Sequence, residues 1–162
     1  MASRRRSRQY ALQALYQADL AEGSVSGSLI SLWAGLVDGE GLCDESHVPE
    51  SEEIEFAQRL AFGVTENRER LDELIESCST NWRLPRMPLV DRNILRMAAF
   101  ELMSCRDIPA TVSINEAVEL AKRFGTADSR AFVNGIVDRL ARLLNRLPSD
   151  AASRKRTDGE PE

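Results

Sequence analysis

Apolar residues recur at helical spacing along most of the chain. Ala11, Leu12, Ala14, Leu15, Ala18 and Ala21 repeat at three- and four-residue intervals, with no glycine or proline between Arg6 and Leu20. This predicts a first helix that begins in the basic run Arg4, Arg5, Arg6, Arg8. Leu29, Ile30, Leu32, Trp33, Leu36 and Val37 predict a second, short helix over about 28–38, ended by Gly39 and Gly41. The segment from Asp38 to Ser51 holds glycines, Pro49 and many acids, and reads as a mobile loop. From Ser51 onward, Ile54, Ala57, Leu60, Ala61, Val64, Leu71, Leu74, Ile75 and Cys78 keep one phase, which predicts a single long helix over 52–79. Asn67 and Arg68 interrupt its apolar face, so a bend or break falls between Gly63 and Asn67 if there is one.

The second half is punctuated by prolines. Leu84-Pro85-Arg86-Met87-Pro88 is non-helical up to Pro88, which suits a first helical turn. A helix then runs through Ile94, Leu95, Ala98, Phe100 and Leu102. Ser113-Ile114-Asn115-Glu116 has the form of a capping box, with Ala117, Val118, Ala121 and Phe124 lining the helix behind it and Gly125 ending it. The last helix starts near Asp128-Ser129 and buries Phe132 or Val133, then Ile136, Val137, Leu140, Leu144 and Leu147, before Pro148. Residues 148–162 are polar and are expected to be disordered.

Composition narrows the class. A chain of 162 residues, 43% hydrophobic and 29% charged, has the size of one domain or of two small helical halves sharing a core, and excludes a large multidomain enzyme. No apolar stretch approaches the roughly 20 residues of a membrane span, and the start MASRRRSRQY lacks the apolar core of a secretory signal. A cytoplasmic protein with no membrane association is expected. Cys43, Cys78 and Cys105 are odd in number and widely spaced, which suits reduced thiols better than a disulfide framework or a zinc motif.

The net charge of −5 is distributed unevenly. Residues 38–55 hold eight acids and no lysine or arginine, whereas residues 81–147 hold eleven bases against seven acids. Arginine supplies 19 of the 21 basic residues, and its planar guanidinium grips phosphate through two hydrogen bonds. Four arginines within five residues at a helix start form the clearest candidate anion contact, reinforced by the helix's own positive end.

A catalytic set is not apparent. His47, the one histidine, sits among acids in the 38–55 segment, and there is no glycine-rich phosphate loop, nucleophile elbow or His-Glu-x-x-His pattern. Neither catalysis, a metal nor a cofactor is expected, which leaves function to binding surfaces.

Three segments together, RRRSRQYALQALYQ at 4–17, LVDRNILRMAAFEL at 89–102 and IPATVSINEAVELAKRFGTADSRAFVNGIVDRL at 108–140, strongly resemble the NusB family of bacterial transcription antitermination factors. The resemblance covers roughly residues 4–143, matches poorly over 23–53, and implies an all-α fold of two small helical bundles. On that reading residues 1–147 form one RNA-binding domain with sub-bundles of roughly 1–80 and 81–147, an acidic loop at 38–53, and a disordered tail at 148–162. It also implies partners: boxA-type single-stranded RNA, the ribosomal protein NusE and, through them, the RNA polymerase antitermination complex. Carried over by position, it places Arg4, Arg5, Arg6 and Arg8 on phosphates, with Tyr16, Asp128 and Phe132 on the same RNA surface, and Asp91 toward NusE.

Each residue also has a plainer reading. Phe132 shares helical spacing with Ile136 and Leu140 and fits a core position; Tyr16 fits a half-buried helix residue; Asp128 fits a helix N-cap; Asp91 fits a solvated charge. Two rival functions remain. One is a helix-turn-helix DNA-binding regulator built on residues 114–137, although its second helix carries only Arg130 near its start to read base edges. The other is a helical adaptor that binds protein alone.

Overall fold

A computed structural model of the chain describes residues 2–37, 48–80 and 82–147. The expectations for residues 38–47, including Cys43 and His47, and for the tail 148–162 lie outside these. The described residues form α1 (Arg4–Ala21), α2 (Val25–Val37), α3 (Ser51–Glu66), α4 (Arg68–Cys78), α5 (Leu89–Ser104), α6 (Ala110–Phe124) and α7 (Ser129–Leu143), with one 3-10 turn at Leu84–Arg86 before α5.

Local chemistry sets the boundaries. α1 opens on Ser3, whose Oγ accepts from the Arg6 N–H at 3.2 Å, and closes on Glu22 in the left-handed region at φ 51°. α2 begins earlier than the apolar spacing suggested, because Ser24 accepts the Gly27 N–H on its side chain and the Ser28 N–H on its carbonyl, each at 3.1 Å. The predicted 52–79 helix is two helices. Asn67 stops α3 by donating its side-chain amide to the Gly63 carbonyl at 2.8 Å, and its own carbonyl accepts the Leu71 N–H at 2.9 Å to start α4. Gly63 is required for another reason: a Cβ there would lie 2.1 Å from the Phe100 ring. The missing side chain lets α3 and α5 approach closely.

α5 is the central element, with Asp91 and every residue from Asn93 to Leu102 buried. α1 and α2 pack with α3 on one side of it, and α6 and α7 on the other. α4 packs mainly on α5 and α7. By packing, α4 therefore sits with α5 and α7 more than with α3. Arg96 of α5, 3% exposed at its side chain, is paired inside this core: it binds Asp72 of α4 through Nε at 2.8 Å and Asp19 of α1 through Nη1 at 3.2 Å. Cys78 and Cys105 are buried free thiols, and burial pushes the Cys105 thiol above its ordinary range.

Two further boundaries differ from the sequence reading. α6 starts at Ala110 behind Pro109, three residues before the expected capping box. Ser113 instead donates its hydroxyl to the Glu101 carboxylate at 3.1 Å, so a tertiary partner displaces the local one. α7 ends at Leu143 because Arg146 turns back to donate to the carbonyls of Leu102 and Ile108, both at 2.6 Å.

Candidate nucleic-acid interface

The first turn of α1 contains no acid, so its partial positive charge adds to the arginine side chains. Arg4 is 55% exposed at its side chain; its guanidinium lies over the Phe56 ring at 4.6 Å and 3.8 Å from Asp107. Asp107 also pairs with Arg59 of α3 at 3.0 Å, and this bond holds its carboxyl below the usual carboxylate range. Arg5, 59% exposed, makes two hydrogen bonds to Glu116 of α6 at 3.0 and 3.1 Å. Arg6 is half-buried. Arg59, Asp107, Phe56 and Glu116 carry no sequence signal for this cluster, since they reach it only through folding.

Arg8 departs from the expected set. Its side chain is 3% exposed and bound to Glu101 of α5 through Nη2 at 2.6 Å and Nε at 3.0 Å. Arg8 shares a helix face with Arg4, and both guanidinium groups lie over the Phe56 ring, but one turn further into α1 it is covered by the core and held by Glu101.

The start of α7 forms the second part of the surface. Asp128 is exposed, and as the N-cap it makes no side-chain capping bond. Phe132 is half-buried at the edge of the core, and Val133 beside it is fully buried. The two residues share what the sequence assigned to either, with Val133 as the core contact and Phe132 retaining an accessible edge. Ser129 caps the turn locally by accepting the Thr126 N–H on its Oγ at 2.9 Å.

Asp91 is not the solvated charge of its plainer reading: it is 3% exposed, in the first turn of α5. Burial pushes its carboxyl above the ordinary range.

α6 connects the two exposed parts. Glu116, which holds Arg5, and Gly125, which leads into α7, are nine residues apart, or about 13 Å along a helix. Arg123 lies on the Glu116 stripe two turns further, exposed, with its guanidinium 5.3 Å from the Phe124 ring. It extends the basic band toward Asp128 and was not singled out from sequence. Tyr16 is half-buried on α1, about 16 Å along the helix from Arg5, and is not brought into this cluster.

A cleft of about 720 Å³ lies toward the opposite end of α1, lined by Asp19, Glu22, Arg68, Arg92 and Arg96 among others. Asp19 bridges Arg68 and Arg96 there, each at 3.2 Å. Among the described residues, no group of three or more His, Cys, Asp or Glu side chains is placed to hold a metal ion, and no helix is long and apolar enough to cross a membrane.

Among the described residues, fold and site define an all-α protein of two packed bundles, with exposed arginines at the start of α1 and a half-buried aromatic near the start of α7. The sequence model of the NusB family matches residues 5–142, and the chain belongs to that family. It is 47% identical over 146 residues to the transcription antitermination protein NusB of Myxococcus xanthus, covering 90% of this chain and 99% of that one. Among solved structures it resembles NusB of T. maritima, at 34% identity and a TM-score of 0.74, covering 98% and 99% of the two chains. The NusB chain of a complex of antitermination factors NusB and NusE with double-stranded RNA shares the fold at 21% identity and a TM-score of 0.73, covering 86% and 96%.

Proposed function

We propose that this protein is an RNA-binding transcription antitermination factor that binds boxA-type single-stranded RNA together with NusE and so suppresses termination in ribosomal RNA transcription. It acts by binding, catalyses no reaction, and works in the cytoplasm as a single domain over residues 1–147. The observation that carries this reading is the exposed pair Arg4 and Arg5 on the positive end of α1, joined across α6 to a turn that exposes Asp128 and an edge of Phe132. Guanidinium groups supply phosphate contacts, and an accessible aromatic edge supplies stacking, the two components that single-stranded RNA requires. The names of the relatives support the role, and the NusB–NusE–RNA complex supports the partners.

The test is a titration with boxA-type single-stranded RNA, an unrelated single strand and duplex DNA of equal length, each with and without NusE. Preferential binding of the boxA strand, strengthened by NusE, is expected. Preference for duplex DNA would favour a helix-turn-helix regulator, and binding of NusE alone a protein-only adaptor.

A further inference from the structure

The turn between α4 and α5 carries chemistry that the interface at α1 and α7 does not use. Of the two tryptophans, Trp33 packs against the core, whereas Trp82 in this turn is 52% exposed. Arg83 and Arg86 are exposed beside it, and neither makes an ion pair or a side-chain hydrogen bond among the described residues. A large indole left in water forgoes the burial that usually holds it, and two guanidinium groups next to it keep all their donors free.

The turn holds these side chains outward by anchoring its others. Leu84 and Met87 are 6% and 2% exposed and enter the core. Residues three apart eclipse one another in a 3-10 turn, so Arg83 and Arg86 share one side of it while Leu84 and Met87 share another. The backbone closes the turn with bonds from the Arg86 N–H to the Arg83 carbonyl at 2.9 Å and from the Met87 N–H to the Leu84 carbonyl at 3.1 Å. Side chains tie down its ends: the Ser79 hydroxyl donates to the Trp82 carbonyl at 2.6 Å, and Arg92 Nη2 donates to the Met87 carbonyl at 3.2 Å. Glu76, the acid that reaches the turn, accepts the Leu84 N–H at 3.3 Å and so meets its backbone, not its arginines. A ligand therefore finds the backbone beneath the indole and the two cations already ordered, which lowers the entropy lost on binding.

We propose that Trp82, Arg83 and Arg86 form a further single-stranded RNA contact, in which a base stacks on the Trp82 indole and neighbouring phosphates meet the two arginines. An exposed aromatic face flanked by unpaired guanidinium groups matches a strand whose bases are free to splay out; a duplex keeps its base faces stacked inside and would use the arginines alone. The inference rests on the RNA-binding reading and extends its surface to the α4–α5 turn. α4, which ends just before that turn, packs on α7, the helix that carries Phe132.

The experiment titrates the full chain with a boxA-type single strand carrying extra nucleotides at both ends, and follows affinity, its salt dependence and tryptophan fluorescence. Trp82→Ala should weaken binding roughly tenfold, the size of one lost stacking contact, and Trp82→Phe, which keeps an aromatic face, should recover most of that loss. Replacing Arg83 and Arg86 together by alanine should lower the log–log salt slope by about 1.4. Stacking quenches an indole, so RNA should quench the parent's fluorescence more than that of Trp82→Phe, although both bind. All three side chains are exposed, and thermal unfolding of each variant should stay near the parent's, which separates lost contact from lost fold. Parental affinity in Trp82→Ala with equal quenching in the parent and Trp82→Phe overturns the proposal. Weakened NusE binding at unchanged RNA affinity overturns it too, and makes the turn a protein contact. A parent chain that binds no RNA overturns this inference together with the functional reading, a result distinct from RNA binding that ignores the turn.

Discussion

The guanidinium of Arg8 and the carboxylate of Glu101 face each other inside the protein, joined by hydrogen bonds of 2.6 and 3.0 Å with both side chains 3% exposed. Ser113 supplies a further bond to the same carboxylate, so the pair ties α1, α5 and α6 at one point. Two charges withdrawn from water are tolerated because the geometry is bidentate; removing one leaves the other uncompensated.

Arg8→Ala should therefore destabilise the protein by about 3–5 kcal/mol, read from chemical unfolding. Arg4→Ala and Arg5→Ala lie on exposed pairs of the kind worth about 0–1 kcal/mol and should leave the unfolding midpoint nearly unchanged. A mild effect of Arg8→Ala on stability would contradict the buried-pair assignment.

Salt dependence separates the same arginines by function. Each phosphate neutralised on a single strand contributes about 0.7 to the log–log slope of affinity against salt. Replacing Arg4, Arg5 and Arg6 together should lower the slope by about 2, while a folded Arg8 variant should leave it unchanged. Equal slopes in the triple variant and the parent would exclude the α1 terminus as the phosphate site.

Most helices were legible because an amphipathic repeat reports the core directly, α5 among them through Ile94, Leu95, Ala98 and Leu102. What could not be read depended on partners far away in sequence. Asn67 was visible as an interruption, but whether it bends or breaks the helix depends on how its amide meets the Gly63 carbonyl. Ser113 had the local pattern of a cap, yet Pro109 had already started the helix, leaving the serine free to bind Glu101. The same carboxylate withdrew Arg8 from an otherwise uniform arginine run, and packing of the first turn of α5 buried Asp91. At these positions local residue type suggested surface chemistry, and tertiary structure placed them inside.

Phe132 and Ile136 provide a contrast one turn apart on α7. Ile136 is 1% exposed, and cutting it to alanine should cost about 2–5 kcal/mol of stability. Phe132, half-buried at the edge of the core, should lose less stability on truncation but about 1–3 kcal/mol of RNA affinity if a base stacks on it. Thermal unfolding and RNA titration of both variants check this. A Phe132→Ala variant with parental RNA affinity would remove Phe132 from the surface.

The two perturbed aspartates predict opposite responses to pH. Burial raises the Asp91 carboxyl, so the unfolded chain loses this proton at lower pH than the folded chain does. Its favourable contribution is complete below the unfolded value and is lost as pH rises through the folded one. Asp107 is lowered, chiefly by its hydrogen bond with Arg59, so its contribution is present above the unfolded value and is lost as pH falls through the folded one. Stability curves for Asp91→Asn and Asp107→Asn should therefore diverge from the parent in opposite directions. Raising the pH upward from the ordinary carboxylate range should favour Asp91→Asn progressively over the parent, whereas acidification below that range should shrink the parent's small advantage over Asp107→Asn. Because Asp107 is 51% exposed and screened by solvent, the Asp91 effect should be the larger. Parallel curves for Asp91→Asn and the parent across that window would mean that the buried carboxyl titrates normally.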